Sequence, residues 1–344
     1  MKAVVLHGQR DLRAEDVPTP VPQAGQVLVR VRRAGICGSD IHYFVHGRAG
    51  SFVPLRPFIL GHEIAGEIAE TGAGVDPALV GQRVAIDPSM PCGTCEFCRE
   101  GRYNLCLNMR FYGSASTDPH VDGGFAEYVV APAANCHALP EGTSWSEAAL
   151  TEPLSVAVHA VLRSGSVAGK TVLVTGGGAI GQLTGLVARA FGAATVVLAD
   201  IAAFPRDLAI ELGANAALDA GDPAVVEQAL ALVPGGFHMV FEASGAPSAV
   251  PLAIALARRG ATIVQIGTLP TDVTAPLNTI MARELSYVGS FRFANVFAIA
   301  IDLMASGRVN VAPLVSAVLP LAEMQTAMDR AIGKDGVIKV QIEP

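Results

Sequence analysis

The chain has 344 residues, of which 51% are hydrophobic, and this is enough material for about two domains with separate cores. Charged residues make up 16% of the sequence, and the formal net charge is −7. Because no run of Lys and Arg is present to neutralise phosphates, the composition argues against nucleic acid as a partner.

The first 140 residues are typical of an antiparallel β domain. The opening segment MKAVVLHG is too short for the apolar core of a signal peptide and is followed at once by charged residues. It is interpreted as the first strand of a protein that stays in the cytoplasm. Short β-branched runs such as VLVRVR and RVAID follow, separated by Gly, Pro and Asp, and no long helical period interrupts them.

A metal site is predicted from Cys37 in AGICGSDIHYF and His62 in ILGHEIAGE. One thiolate and one imidazole suit zinc but leave its coordination incomplete. Glu63, next to His62, and Glu152 in ALTEPLSVAVHA compete for the third protein position. Each residue alone has an ordinary packing explanation. Their combination favours a catalytic zinc site with one open coordination position.

Four of the six cysteines lie in one segment, PCGTCEFCREGRYNLC. Such crowding in a chain without an export signal favours metal over disulfides. The spacing Cys-x2-Cys-x2-Cys-x7-Cys lets one loop place four thiolates around a tetrahedral ion with no open position. The sequence therefore predicts a structural zinc, with an iron–sulfur cluster or unmetallated thiols as the alternatives. The predicted ligands are Cys92, Cys95, Cys98 and Cys106.

After Glu152 short apolar runs alternate with alanine-rich stretches of helical length. TVLVTG, ATVVLAD, MVFEAS and ATIVQIG predict strands, and this alternation is typical of a parallel sheet covered on both faces. The uncharged stretch 171–188 approaches the length of a membrane span but carries five glycines, so a strand, a turn and a helix explain it better. The tail GVIKVQIEP predicts a last strand that returns to the first domain.

The segment VLVTGGGAIGQ predicts a dinucleotide site, because its glycines follow a strand directly and open a helix. The predicted cofactor-binding residues of this turn are Gly176, Gly178, Ile180 and Gly181. Asp200 ends the next strand, where a carboxylate can hold both ribose hydroxyls and repel a 2′-phosphate, so NAD is favoured. The alternative is that Asp200 only caps a turn. Arg206 is near enough in sequence to leave NADP use open.

The motif GHE-x2-G-x5-G-x2-V, which begins at Gly61, and the four-cysteine lobe resemble the zinc-dependent medium-chain alcohol dehydrogenases over essentially the whole chain. Simple alcohol dehydrogenases of that family carry a cysteine at the position of Glu152, whereas the sorbitol-type polyol branch carries a glutamate in an EPLSV context. The resemblance implies two domains. One is a GroES-like antiparallel β catalytic domain of residues 1–153 and 291–344, and the other is a Rossmann doubly wound parallel-sheet domain of residues 154–290.

The segments NMRFYGSASTDPHVDGGFAEY and GSFRF are similar to the L-idonate 5-dehydrogenases in particular. This implies a small polyol or sugar acid as substrate, most specifically L-idonate, which would be oxidised to 5-keto-D-gluconate. The alternatives are a sorbitol-, xylitol- or galactitol-type dehydrogenase, a threonine dehydrogenase, or a non-catalytic protein on the same scaffold. The resemblance favours a homotetramer over a dimer.

The resemblance also implies roles for individual residues. Two zinc ions are expected per chain, and the catalytic one lowers the pKa of the substrate hydroxyl before a hydride passes to the nicotinamide. Ser39 would relay the proton towards solvent. Glu63 would lie behind the metal, Glu152 would ligate it or hold its water, and Gly267 would line the nicotinamide pocket. The residues expected to face the substrate are Tyr43, Arg110, Phe111, Glu152 and Arg292.

Overall fold

The computed structural model describes all 344 residues, which form two compact units. The first unit consists of Met1–Glu152, Ala300–Ala305 and Val311–Pro344, and the second of Pro153–Ile299 and Ser306–Asn310. The sequence predicts the return to the first domain at residue 291, whereas the second unit runs on to Ile299. No helix is both long enough and apolar enough to cross a membrane.

The chain up to Leu150 forms mostly short strands, as its β-branched runs predict. The strands are β1 (Lys2–Gly8), β2 (Asp11–Asp16), β3 (Gln26–Gly35), β4 (Phe58–Ile59), β5 (Glu63–Thr71), β6 (Arg83–Ile86), β7 (Ser89–Met90), β8 (Arg110–Phe111), β9 (Tyr128–Pro132) and β10 (Cys136–Ala138). The helices are α1 (Gly38–His46), α2 (Glu96–Arg99) and α3 (Trp145–Ala149).

From Thr151 onwards helices and strands alternate, as the apolar runs predict. The helices are α4 (Thr151–Arg163), α5 (Ala179–Ala190), α6 (Ala203–Glu211), α7 (Val225–Leu232), α8 (Ala249–Leu256), α9 (Leu277–Ala282) and α10 (Phe297–Ala305). The strands are β11 (Thr171–Thr175), β12 (Thr195–Asp200), β13 (Ala216–Asp219), β14 (Phe237–Glu242), β15 (Ala257–Gln265) and β16 (Ser286–Gly289). The tail adds β17 (Val315–Pro320), α11 (Met324–Gly333) and β18 (Lys339–Glu343).

The sheet of the second unit is entirely parallel, in the order β13-β12-β11-β14-β15-β16. Central positions such as Leu173, Val240 and Ile263 are fully buried, because a parallel sheet is covered on both faces. The strand order reverses between β11 and β14. In such folds the ligand binds at this reversal, outside the carboxyl ends of the strands. The predicted doubly wound sheet is confirmed.

The main sheet of the first unit places the C-terminal tail beside the predicted metal ligands. Strand β3 pairs antiparallel with β5, and β18 pairs antiparallel with the end of β3. Gly35 on β3 therefore lies opposite both Glu63 and Gln341. A Cβ at Gly35 would lie 1.9 Å from a carboxylate oxygen of Glu63, so this position requires glycine. The sequence predicts this return of the tail.

Candidate metal centre and coenzyme site

Cys37, His62 and Glu63 converge where two antiparallel strands meet. Cys37 follows the end of β3, while His62 and Glu63 stand at the start of β5. One ligand atom from each of the three lies within 4.8 Å of the others. His62 and Glu63 are buried, and Cys37 is half-buried. A thiolate, an imidazole and a carboxylate so close together could hold a zinc ion.

Asp40 ties the two ligand segments together. Its buried carboxylate accepts hydrogen bonds from the Cys37 amide at 2.8 Å and the Gly61 amide at 3.3 Å. It also lies 3.8 Å from Nδ1 of His62. A carboxylate behind a metal-binding histidine fixes the orientation and tautomer of the ring. The role of Asp40 could not be predicted from the sequence, because an acidic residue in the first turn of a helix is ordinary.

The charges around His62 suit a cation. Burial alone would lower the pKa of His62, but neighbouring Cys37 and Asp40 outweigh burial and raise that pKa to about 10. A raised pKa means that the positively charged form of the imidazole is favoured, because anionic groups surround the buried ring. A bound metal ion would supply the positive charge that this cluster favours.

Glu152 lies in the first turn of α4 and is 6% exposed. Burial raises its pKa to about 7, although attraction to His62 acts in the opposite direction. Its carboxylate stands outside the tight group that Glu63 forms with Cys37 and His62. The attraction to His62 nevertheless places it near these donors.

Glu63 forms a buried ion pair with Lys339, a residue that the sequence does not single out. The Lys339 ammonium donates to the two Glu63 oxygens at 2.6 and 2.9 Å and to the Ile36 carbonyl at 3.1 Å. The two charged side chains are 5% and 1% exposed. Any bond from Glu63 to a metal therefore competes with Lys339. Since 276 residues separate the pair, no local pattern could have shown it.

The four-cysteine lobe brings its thiols within 4.8 Å of one another, and all of them are free. Backbone amides point at the sulfurs: Cys92 donates to Cys106 Sγ at 3.2 Å, and Cys95 donates to Cys92 Sγ at 3.4 Å. The amide and hydroxyl of Thr94, with the Cys95 amide, lower the pKa of Cys92 to about 5. Thiolates that point inward in this way could hold a tetrahedral ion.

The glycine turn after β11 has the close contacts that a dinucleotide turn requires. Gly176 has a φ of 93°, and a Cβ on Gly181 would lie 1.8 Å from the Gly176 carbonyl oxygen. Gly178 is the N-cap residue of α5, so no side chain caps the first amides of this helix. The space around Gly178 is open, and Ile180 lies in the first turn. The free amides of this helix end suit a diphosphate.

Asp200 lies beside this turn and caps it. Its carboxylate accepts from the Gly177 amide at 2.6 Å and from the Ala202 amide at 2.8 Å. Asp200 therefore does cap a turn, as the alternative interpretation predicts. The same hydrogen bonds also hold its carboxylate next to the glycine turn. Arg206 donates to the Asp200 carbonyl at 2.9 Å and pairs with Asp219 at 3.1 Å, so its guanidinium is already engaged.

Of the two neighbouring residues on β8, only Phe111 faces the metal donors. The Phe111 ring lies 5.5 Å from the His62 ring. Arg110 is exposed and lines a cavity of about 530 Å³ together with Met90 and Tyr112. Neither Cys37 nor His62 lines that cavity. Because successive side chains of a strand point to opposite faces, Arg110 points away from the face of β8 that Phe111 presents to His62, and its expected contact with the substrate stays a prediction.

Tyr43 and Ser39 both lie on α1, but their surroundings differ. Tyr43 is 2% exposed, its ring packs edge-on against Phe58 at 5.6 Å, and its hydroxyl accepts from the Ala115 amide at 3.0 Å. These contacts place it in the core. Ser39 is half-buried beside Cys37, and its hydroxyl makes no hydrogen bond within the protein. It is therefore available to a substrate or to water.

The remaining predicted residues, Gly267 and Arg292, belong to the second unit. Gly267 follows β15 at the carboxyl edge of the parallel sheet and is half-buried. Arg292 has a φ of 51°, and its guanidinium lies 5.0 Å from the centre of the Phe291 ring. Gly267 thus stands at the edge where the fold binds its ligand.

Comparison with known proteins agrees with this arrangement. Residues 23–141 match the alcohol dehydrogenase GroES-like domain, and residues 179–306 match the zinc-binding dehydrogenase family. Sorbitol dehydrogenase of Bacillus subtilis (strain 168) is 38% identical over 348 residues, covering 100% of this chain and 97% of that protein.

Solved structures are similar over the whole chain. The L-idonate 5-dehydrogenase from Escherichia coli has a TM-score of 0.93 and 35% identity, covering 100% of this chain and 98% of that one. A protein from Sinorhizobium meliloti 1021 bound to NADP has a TM-score of 0.91 and 37% identity, covering 100% and 99%. With its two matched domains and its two groups of metal donors, the chain belongs to the zinc-dependent medium-chain alcohol and polyol dehydrogenase family.

Proposed function

We propose that this dehydrogenase oxidises the C5 hydroxyl of L-idonate to 5-keto-D-gluconate, with NAD as hydride acceptor. The convergence of Cys37, His62 and a buried acid carries the reaction class. The likeness to the L-idonate 5-dehydrogenase over the whole chain supports the sugar acid. The 38% identity with a sorbitol dehydrogenase makes oxidation of a neutral polyol the second candidate.

In the proposed reaction, the zinc donors and the residues around them have different roles. Zinc bound by Cys37, His62 and one of the two glutamates would supply a Lewis acid that lowers the pKa of the substrate hydroxyl. Asp40 orients the His62 ring through its charge, and the Phe111 ring packs 5.5 Å from the same imidazole. The four-cysteine lobe would hold the second, structural zinc.

Ser39 is the proposed proton relay. It lies two residues after Cys37, and its hydroxyl has no partner within the protein. A hydroxyl can accept one proton while it donates its own to solvent, so Ser39 can carry the substrate proton away without holding a charge.

The substrate assignment is tested by comparing L-idonate, sorbitol and xylitol with NAD and following the absorbance of the reduced cofactor. We expect the highest kcat/KM for L-idonate. A higher kcat/KM for sorbitol or xylitol would replace the sugar acid by the neutral polyol.

The substrate carboxylate needs a cationic partner. Arg110 and Arg292 are the two candidates that the resemblance implies, and we propose Arg292 for this role. Arg292→Ala should lower kcat/KM for L-idonate by roughly ten- to a hundredfold, because a bond between two charged groups is lost, and should lower that for sorbitol less. Arg110→Ala is the matched control and should leave the ratio of the two substrates unchanged. A selective loss in Arg110→Ala instead would assign the carboxylate to Arg110.

Asp200 should set the choice of cofactor. Asp200→Ala removes the proposed ribose acceptor and the repulsion of a 2′-phosphate, so kcat/KM should fall with NAD and the relative preference should move towards NADP. Asp222→Ala is a matched control, because Asp222 makes the same kind of turn, accepting from the Ala224 amide at 2.8 Å. Equal effects of the two variants would mean that Asp200 is only a turn residue.

A further inference from the structure

Glu242 is a fully buried carboxylate at the carboxyl end of β14. No Lys, Arg or His pairs with it. Its oxygens accept from the Ser244 amide at 2.8 Å, from the Gly245 amide at 3.1 and 3.3 Å, and from the Ser244 hydroxyl and the Gln265 side-chain amide. Burial removes this carboxylate from water, and only hydrogen bonds from neutral groups replace its hydration. These hydrogen bonds also fix the positions of the donors.

These donors come from the carboxyl ends of two neighbouring strands. Ser244 and Gly245 lie after β14, and Gln265 ends β15. The Glu242 carbonyl accepts from the Gly267 amide at 2.9 Å, and the Gln265 side chain donates to the Gly267 carbonyl at 2.7 Å. Side chain and backbone of Glu242 thus join loop 243–246 to loop 266–268.

The glycine turn after β11 packs against the same cluster. A Cβ on Gly267 would lie 2.3 Å from the Gly245 nitrogen and 2.8 Å from a Glu242 oxygen. A Cβ on Gly176 would lie 2.6 Å from the Ser244 nitrogen. Three loops are therefore in contact around one carboxylate, where no side chain fits between them. They meet at the reversal of strand order between β11 and β14.

We propose that Glu242 is a positioning residue for the nicotinamide half of the coenzyme. The inference rests on the proposed coenzyme site. A dinucleotide binds across the reversal, with its adenosine ribose at the strand that ends in the acidic residue, here β12 and Asp200. The other half then lies on the β14 and β15 side. Glu242 sets the separation of the two loops that form this side, including Gly267, and touches no substrate or coenzyme itself.

Coenzyme binding tests the proposal directly. In Glu242→Gln an amide group replaces one oxygen, so two donors face each other at Gln265. The Kd of the zinc-loaded enzyme for NADH should rise about tenfold or more, the value of one charge-assisted hydrogen bond. ADP-ribose carries the adenosine diphosphate half without nicotinamide, and its Kd should not change. Calorimetric titration measures both.

A second variant and a second measurement do not depend on how well Glu242→Gln folds. Gln265→Ala removes the same hydrogen bond from the other side, and it should reproduce the selective loss of NADH affinity. In the coenzyme-free protein, hydrogen exchange at the Gly245 and Gly267 amides should become faster in both variants, because the Glu242–Gln265 hydrogen bond no longer joins the two loops that carry these amides.

Thr171→Val is the matched control, because Thr171 lies at the amino end of the same parallel strands, away from the coenzyme site. Thr171 on β11 bonds to His238 on β14 at 2.7 Å, so the variant should be less stable and should bind both ligands normally. Equal weakening of NADH and ADP-ribose in Glu242→Gln, or no change in either, overturns the inference. Failure of the unaltered protein to bind either ligand would instead overturn the proposed coenzyme site.

Discussion

Cys37→Ala is expected to leave the protein with one zinc ion per chain instead of two and to abolish turnover. Cys37 is the only thiol in the group with His62 and Glu63, and no neighbouring sulfur can replace it. Loss of a group that merely supports a metal ligand costs 10- to 100-fold. Loss of the ligand itself should therefore cost more than about a hundredfold in kcat/KM.

Elemental analysis of protein purified without added metal measures the stoichiometry. Cys136→Ala is the matched control, because Cys136 is also half-buried and free but belongs to neither group of metal donors. It should keep two zinc ions and full activity. Iron in place of zinc, or undiminished turnover by Cys37→Ala, would contradict the assignment.

The parts of the molecule that could be predicted from sequence are those whose geometry is local. The glycine turn and the four-cysteine lobe each lie within a short segment, so the spacing of the residues already limits their arrangement in space. The parallel sheet could be predicted because its strands are continuous apolar runs, and its strand order confirms the expected fold. The return of the tail was predicted from a single terminal strand.

The supporting residues could not be predicted, because their partners come from distant segments. Lys339 meets Glu63 only because β18 pairs with β3 and β3 pairs with β5. The donors of Glu242 similarly come from the carboxyl ends of two strands separated by a helix. A motif shows which residues are neighbours in sequence, and the pairing of strands decides which are neighbours in space.

Arg110 shows a second limit. The resemblance placed it next to Phe111 in a segment of the substrate pocket, but did not show which face of the strand each side chain takes. The alternation along β8 separates the two residues, one towards His62 and the other towards a different cavity. A one-residue step in sequence thus changes the surroundings completely.

Lys339→Met is expected to lower the free energy of unfolding by about 3 to 5 kcal/mol, because it leaves the buried Glu63 carboxylate without its counter-charge. Denaturant titration of the zinc-loaded protein measures the loss. Lys2→Met is the matched control. Lys2 lies at the same 2.6 Å from Asp16, but these side chains are 63% and 75% exposed, so solvent screens the pair and little change is expected.

The effect of Lys339→Met should be the same at every pH near neutrality. Burial would lower the pKa of Lys339, but Glu63 and Cys37 outweigh burial and raise it. A raised pKa means that the stabilisation is complete below the ordinary value of 10.5 and is lost only at higher pH.

The double variant Lys339→Met with Glu63→Gln separates the charge from the rest of the contact. Neutralising both partners removes the unpaired charge, so the double variant should be clearly more stable than the sum of the single losses predicts. Strictly additive losses would mean that the two side chains stabilise the protein independently. In that case the tail strand would support the metal centre through packing alone.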